Sequence, residues 1–170
     1  LLRYAQENYS HFNSIYGLDD KLYILAHNVT DKTGKKSQLY VCDTHYNVVN
    51  IIDTNYGNAH NIYINDDVQL ICNSGANQLV DLKNDKVLFQ CNNFTRGLAV
   101  SHDYILVGGS TLSKNRKERY NCGYVYILDT SYTLVSRIKI PGIQINEIRR
   151  LNSPDYGMSN TIKPSIGVER

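Results

Sequence analysis

No stretch of this chain approaches the ~20 consecutive apolar residues of a membrane-spanning helix. The opening Leu1-Leu2-Arg3-Tyr4-Ala5-Gln6 is too polar for a signal peptide. No initiator methionine precedes it, so the sequence reads as a fragment or a processed product. Charge of one sign is also lacking. Eighteen Lys and Arg stand against 16 Asp and Glu, a net charge of +2, so no overall field recruits nucleic acid or an acidic membrane. Helical periodicity is missing, and only three prolines interrupt the chain. A βαβ fold would need a helical pattern of about 10–15 residues between strands, so that class is excluded. The four cysteines, Cys42, Cys72, Cys91 and Cys122, form no C-x-x-C pair, which argues against structural zinc. Cys42, Cys72 and Cys91 sit in or at the ends of apolar strands, where a reduced thiol packs as a small hydrophobe. Sequons at Asn8, Asn28 and Asn93 read as chance matches without a secretion signal, and the expected compartment is the cytoplasm.

What the chain does have is self-similarity. Asn13-Ser-Ile-Tyr-Gly-Leu-Asp-Asp-Lys-Leu-Tyr-Ile-Leu25 overlays His60-Asn-Ile-Tyr-Ile-Asn-Asp-Asp-Val-Gln-Leu-Ile-Cys72 without a gap. Arg96-Gly-Leu-Ala-Val-Ser-His-Asp-Tyr-Ile-Leu-Val-Gly108 overlays both, and a partial fourth copy begins at Glu147. A repeat of roughly 35–50 residues made of short strands is the signature of a β-propeller. Hydrophobic residues at 42% supply an ordinary core. The strands are expected at 13–18, 21–26, 38–43 and 48–52, then 60–65, 68–72, 78–82 and 86–91, then 96–101, 104–108, 123–129 and 134–140. Each is rich in Ile, Val, Leu and Tyr and bounded by turn residues. Residues 145–151 open a further blade. Asp43-Thr-His-Tyr-Asn-Val-Val matches Asp129-Thr-Ser-Tyr-Thr-Leu-Val, and each Asp is placed to close a hairpin through its side chain. Residues 110–121 read as a loop. The fold expected is all-β, a partial β-propeller over residues 1–159, with blades at about 11–59, 60–95 and 96–144, the start of another at 145–159, and a polar tail at 160–170. Propellers close with about four to eight blades. The remaining blades are expected from missing chain or other subunits.

In a propeller the starts of the innermost strands line the mouth of the central channel. Here those positions hold Asn13 (with His11 two before it), His60, Arg96 and Glu147. Convergent polar groups in a concave mouth are the default binding site, although any such channel also holds polar groups that merely bind water. Three chemistries fit. Arg96 binds an anion, with hydrogen bonds from His11, His60 and Asn13. Alternatively, His11, His60 and Glu147 hold a divalent metal, a set that Arg96 opposes by repelling the cation. In the third, Glu147 and His60 form a general acid–base pair, with Arg96 stabilising negative charge. The neighbouring loops add His27, Asn28, Asn73 and Ser74, and the basic run adds Arg116 and Arg119 as an arm over the mouth.

These residues resemble an uncharacterised, mostly bacterial propeller family, a domain of unknown function grouped loosely beside tetratricopeptide-repeat proteins. Its His-x-Asn segment is matched by His11-Phe-Asn13. Its Pro-His segment and Glu-Ser-Gly turn are resembled by Ala59-His60 and Asn73-Ser74-Gly75. Its Gly-Phe-Thr-Arg-Gly-Leu segment is similar to Asn93-Phe-Thr-Arg96-Gly-Leu98. Its Arg/Glu-rich loop running into Cys-Gly resembles 116–119 with Cys122-Gly123, and its Gln-Glu-Ile segment resembles Asn146-Glu147-Ile148. The likeness spans roughly residues 11–151 in order. It departs at Asn73, where the family has Glu, and at Ala76, where it has Arg. The resemblance implies a longer parent chain with His11, Asn13, His60, Arg96 and Glu147 as family features, and it implies no activity. Phe94-Thr-Arg-Gly-Leu98 and Asn146-Glu-Ile148 are also similar to segments of propeller-type glutaminyl cyclotransferases. Arg96 replaces their Gln, and this chain has no Trp.

The function expected is a ligand-binding β-propeller for an anionic small molecule or sugar derivative, with catalysis undecided. A protein-interaction scaffold is the alternative, drawing on the many strand tyrosines. No cofactor is specified by the sequence, and neither nucleic acid nor membrane is an expected partner.

Overall fold

The computed structural model describes residues 10–151, without the Arg116 and Tyr120 side chains. The tail at 160–170 and the Asn8 sequon lie outside the described residues. Twelve strands form three antiparallel four-stranded sheets, each a meander in chain order. The first holds β1 (Phe12–Leu18), β2 (Lys21–Ala26), β3 (Gln38–Cys42) and β4 (Val48–Asp53). The second holds β5 (His60–Ile64), β6 (Gln69–Asn73), β7 (Gln78–Asp81) and β8 (Lys86–Gln90). The third holds β9 (Phe94–Val100), β10 (Ile105–Ser110), β11 (Cys122–Leu128) and β12 (Leu134–Pro141). The sequence overlay is also a ladder overlay. Ile15 faces Ile24, Ile62 faces Ile71, and Leu98 faces Val107, always at the same step.

Strand alternation explains the core. Successive side chains point to opposite faces, so the middle sheet sends Leu70, Cys72 and Leu79 toward the third sheet and Ile71 and Val80 toward the first. The partners on one side are Leu98, Ile105, Val107, Tyr126 and Leu128, and on the other Leu25, Leu39, Ala59 and Ile62. Burying each such aliphatic side chain stabilises the fold by ~1.5–3 kcal/mol. Buried on both faces, β6 is apolar without a break at Leu70-Ile-Cys72. A third cluster (Ile24, Ala26, Tyr40, Cys42) occupies the opposite face of the first sheet. The first strands of successive sheets, β1, β5 and β9, lie against one another.

The hairpin reading of the two Asp residues holds in detail. Asp43 Oδ1 accepts the N–H groups of His45 and Asn47, at 2.9 and 2.8 Å. Asp129 Oδ1 accepts those of Ser131 and Thr133, both at 2.9 Å. Each clamp holds a tyrosine, Tyr46 or Tyr132, in the left-handed region that the turn needs. All four cysteines are free thiols. The Asn28 side-chain nitrogen donates to the Lys36 carbonyl and to Gln38, and the Asn93 side-chain oxygen accepts from the Tyr126 hydroxyl.

Two expectations are corrected. Residues 145–151 form no strand, because none of the described residues offers them a ladder. Instead Ile145 seats against the third sheet, its N–H and carbonyl both bonded to the Ser110 hydroxyl at 2.9 and 2.8 Å. Gly108 permits this approach, since a Cβ there would strike the Arg96 carbonyl and the Ile145 side chain. Secondly, one helical turn at Thr30–Thr33 and two 3-10 turns, Ser74–Ala76 and Arg116–Tyr120, occupy segments that carry no helical signal. A single turn is too short to show a 3.6-residue period.

Candidate anion site

Each first strand begins with an irregularity. The ladder skips Asn13 in β1, Asn61 in β5, and the Arg96-Gly97 pair opposite Gly108 in β9. Such bulges re-aim side chains at the end of a sheet. Left-handed backbone accompanies them at His11 (φ 43°), Asn61 (φ 46°) and Gly97 (φ 84°). Val29, a β-branched residue, is also left-handed at φ 47°. Strain of this kind persists where the surroundings enforce it and clusters at functional sites. Here the enforcement is a hydrogen bond: the Val29 N–H donates to His27 Nδ1 at 2.9 Å.

Around these bulges three imidazoles assemble. His11 stacks on His27 with centroids 4.9 Å apart, His27 meets His60 edge-on at 5.0 Å, and His60 meets Phe94 at 5.4 Å. The backbone fixes the tautomers of two of them. His27 Nδ1 accepts a hydrogen bond, so a neutral His27 carries its proton on Nε2. His60 Nδ1 lies 2.8 Å from the Asn58 carbonyl, so it donates and leaves Nε2 bare. The same Nδ1 is 2.9 Å from Ser74 Oγ, whose own proton goes to the Thr95 carbonyl. Burial, then Arg96 and His27, push His60 down to about 3. Burial, then His11 and Arg96, hold His27 at about 4 against the opposing pull of Asp31. Both rings are therefore neutral near pH 7.

Arg96 completes the cluster. It is half-buried, and its Nε is shut from solvent with no hydrogen-bond partner among the described residues. Burial first, and the Arg119 charge second, hold its pKa below the usual guanidinium value. Arg119 spends its Nε on the Ser113 carbonyl. The described residues contain one ion pair, His102–Asp103, and neither arginine is bridged to a carboxylate among them. Buried charge is normally paired. A half-buried arginine facing a second arginine and neutral imidazoles, unpaired among the described residues, is suited to an anion.

The expected residues divide into two neighbouring groups. Asn13 and Glu147 line a cleft of about 710 Å3 that runs along β1, β5 and β9 and is closed by 147–150. Asn13 Nδ2 donates to the Ala59 carbonyl at 2.9 Å, and its Oδ1 is buried without a partner among the described residues. Asn61 ties the groups together, donating to Glu147 Oε2 at 3.2 Å and accepting the Gly97 N–H at 2.6 Å. None of His11, His27, His60 and Arg96 lines that cleft. Glu147 is bonded to Asn61 and not to His60, so the expected acid–base pair is not assembled. The trio His11, His60 and Glu147 is likewise not a ligand set. Among the described residues no three His, Cys, Asp or Glu side chains are grouped to hold a metal ion. Asn73 is buried and bonded to Gln78, while Ser74 orients His60. The Arg116 side chain lies outside the described residues.

His27 emerges with more weight than a loop position suggested. In the overlay it falls on Ser74 and Ser110, whose hydroxyls bond the backbone of the segment that follows, at Thr95 and Ile145. In the first sheet Ser37 takes over that task, accepting the Ala59 N–H at 3.0 Å. The imidazole is thereby released into the cluster. The signal was present as a departure from the repeat.

The fold and this cluster define an all-β protein of repeated four-stranded meanders with a histidine–arginine cluster at the starts of the first strands of its sheets. No protein-family model matches the chain, and no curated protein matches it.

Proposed function

We propose that the chain is part of a β-propeller that binds an anionic small molecule or sugar derivative through His11, His27, His60 and Arg96, with Arg119 alongside. The observation that carries the reading is the Arg96 guanidinium, buried at Nε without a partner and without a carboxylate among the described residues. Removing a charge from water is unfavourable unless something pairs with it, and an anionic ligand is that something. The radial arrangement draws support from three successive meanders whose first strands adjoin and whose faces share two apolar clusters. Further sheets, from more chain or other copies, complete the ring. They cover the far face of the third sheet, where Leu106, Val125 and Ile127 are only half-buried.

The test is thermal stabilisation by a panel of small anions and sugar acids in chloride buffer. Ligands that raise the melting temperature of the wild type are expected to leave Arg96→Ala unmoved. Equal stabilisation of both proteins contradicts the site. An interaction scaffold is the second reading, favoured by the outer strand β12, which exposes Leu134, Val135 and Ile138. Capture of a protein partner that survives Arg96→Ala and is lost on replacing those three side chains would favour it.

A further inference from the structure

We propose that the ligand is a small phosphorylated molecule, that its phosphoryl group occupies the His11–His27–His60–Arg96 cluster, and that His27 selects it; this rests on the anion-site reading above. Three observations point the same way. First, charge. Arg96 and Arg119 repel one another, and no ion pair relieves either among the described residues. The nearby Glu118 is occupied by Ser113 and Asn115. A monocarboxylate would neutralise one guanidinium and leave the other. A phosphate monoester, with a charge of about −1.5 to −2 at pH 7, neutralises both.

Second, the donors. His27 presents Nε2–H because its Nδ1 is held by the Val29 amide, and Arg96 adds a guanidinium with no ion pair among the described residues. His60 contributes a bare Nε2, which accepts a ligand hydroxyl proton or gains a proton itself. A guanidinium and an imidazole N–H in one cluster suit a tetrahedral oxyanion with three terminal oxygens. Third, the departure from the repeat. A serine at position 27 would spend its proton on a backbone carbonyl, as Ser74 and Ser110 do. Histidine replaces that closed contact with a donor on the far edge of the ring, beside His11 and His60.

The charges facing His27 are His11, Asp31 and Arg96, and those facing His60 are Arg96, His27 and His11. Of these, Arg96 is a cation that faces both rings, and Asp31 is an anion that faces His27 alone. A dianion placed among them favours imidazolium, so binding takes up protons and strengthens as the pH falls.

Calorimetric titration of the whole chain in chloride buffer tests this with inorganic phosphate, sulfate and acetate at pH 6 and pH 8. Phosphate and sulfate are expected to bind at least about tenfold more tightly than acetate, which is about 1.4 kcal/mol. Sulfate stays doubly charged throughout, so its tighter binding at pH 6 reports protons taken up by the protein. His27→Ser restores the residue type of the other two repeats and is expected to fold, to lose phosphate affinity roughly tenfold and to flatten the pH dependence of sulfate. His27→Gln, which keeps a side-chain N–H, is expected to recover part of the affinity, and it carries the test if His27→Ser is unstable. Arg96-dependent binding of acetate as tight as that of phosphate would leave an anion site and overturn the phosphoryl assignment. Unchanged phosphate binding in both His27 variants would overturn the role of His27. No binding of any anion would overturn this inference and the anion-site reading together.

Discussion

Replacing Arg96 by methionine is expected to stabilise the ligand-free protein while abolishing anion binding. Methionine keeps an unbranched stem and removes the guanidinium. An unsatisfied buried donor costs about 1–3 kcal/mol. Only part of this guanidinium is withdrawn from water, so the low end of that range applies, about 1–1.5 kcal/mol. Relief of the repulsion from Arg119 acts in the same direction. For a domain of about 150–250 residues each kcal/mol moves the melting temperature by about 2–4 °C, so the expected rise is about 2–6 °C. The assay is thermal and urea denaturation in chloride buffer free of phosphate and sulfate. A lower melting temperature for Arg96→Met would refute the reasoning, because it would mean that the guanidinium has a stabilising partner within the folded chain. Adding phosphate is expected to narrow the gap between the two proteins by raising the wild type alone.

Gly108→Ala is expected to destabilise the third sheet by about 1–3 kcal/mol or more in urea, because the new methyl group meets the Arg96 carbonyl and the Ile145 side chain. Ser74→Ala leaves the Thr95 carbonyl without its hydroxyl and His60 Nδ1 with one partner, so a loss of about 1–2 kcal/mol is expected in the same assay. Stability is expected to fall as the pH drops from about 6.5, the free imidazole value, toward about 4 for His27 and about 3 for His60. In that window the unfolded chain binds protons that the folded rings refuse. The urea midpoint at pH 7.5 against pH 5 measures this, and His27→Ser is expected to make the slope shallower by removing one ring.

Most of the strand framework was legible because the core writes itself into local patterns. The buried Ile62 and Leu98 and the exposed Ile15 occupy one ladder step in three sheets, and each is followed five places on by an Asp: Asp67, Asp103 and Asp20. Asp43 and Asp129 were legible because their hydrogen bonds are made to residues two and four places on. Bulges were not, because which residue is left over depends on the partner strand. That is why Asn61, the residue that bonds both Glu147 and Gly97, was hidden behind His60. Residues 145–151 have the composition of a strand, but a strand exists only where another backbone pairs with it. The separation of Glu147 from His60 and Arg96 also follows from the bulges, which turn side chains of adjacent positions to different sides.

Diffraction from crystals of the chain soaked in tungstate, a doubly charged tetrahedral oxyanion with a strong anomalous signal, tests the central claim most directly. The account predicts a peak within hydrogen-bond reach of the Arg96 guanidinium and His27 Nε2, lost in Arg96→Met. A peak only in the cleft, beside Arg149 and Arg150, with none at Arg96 would contradict it.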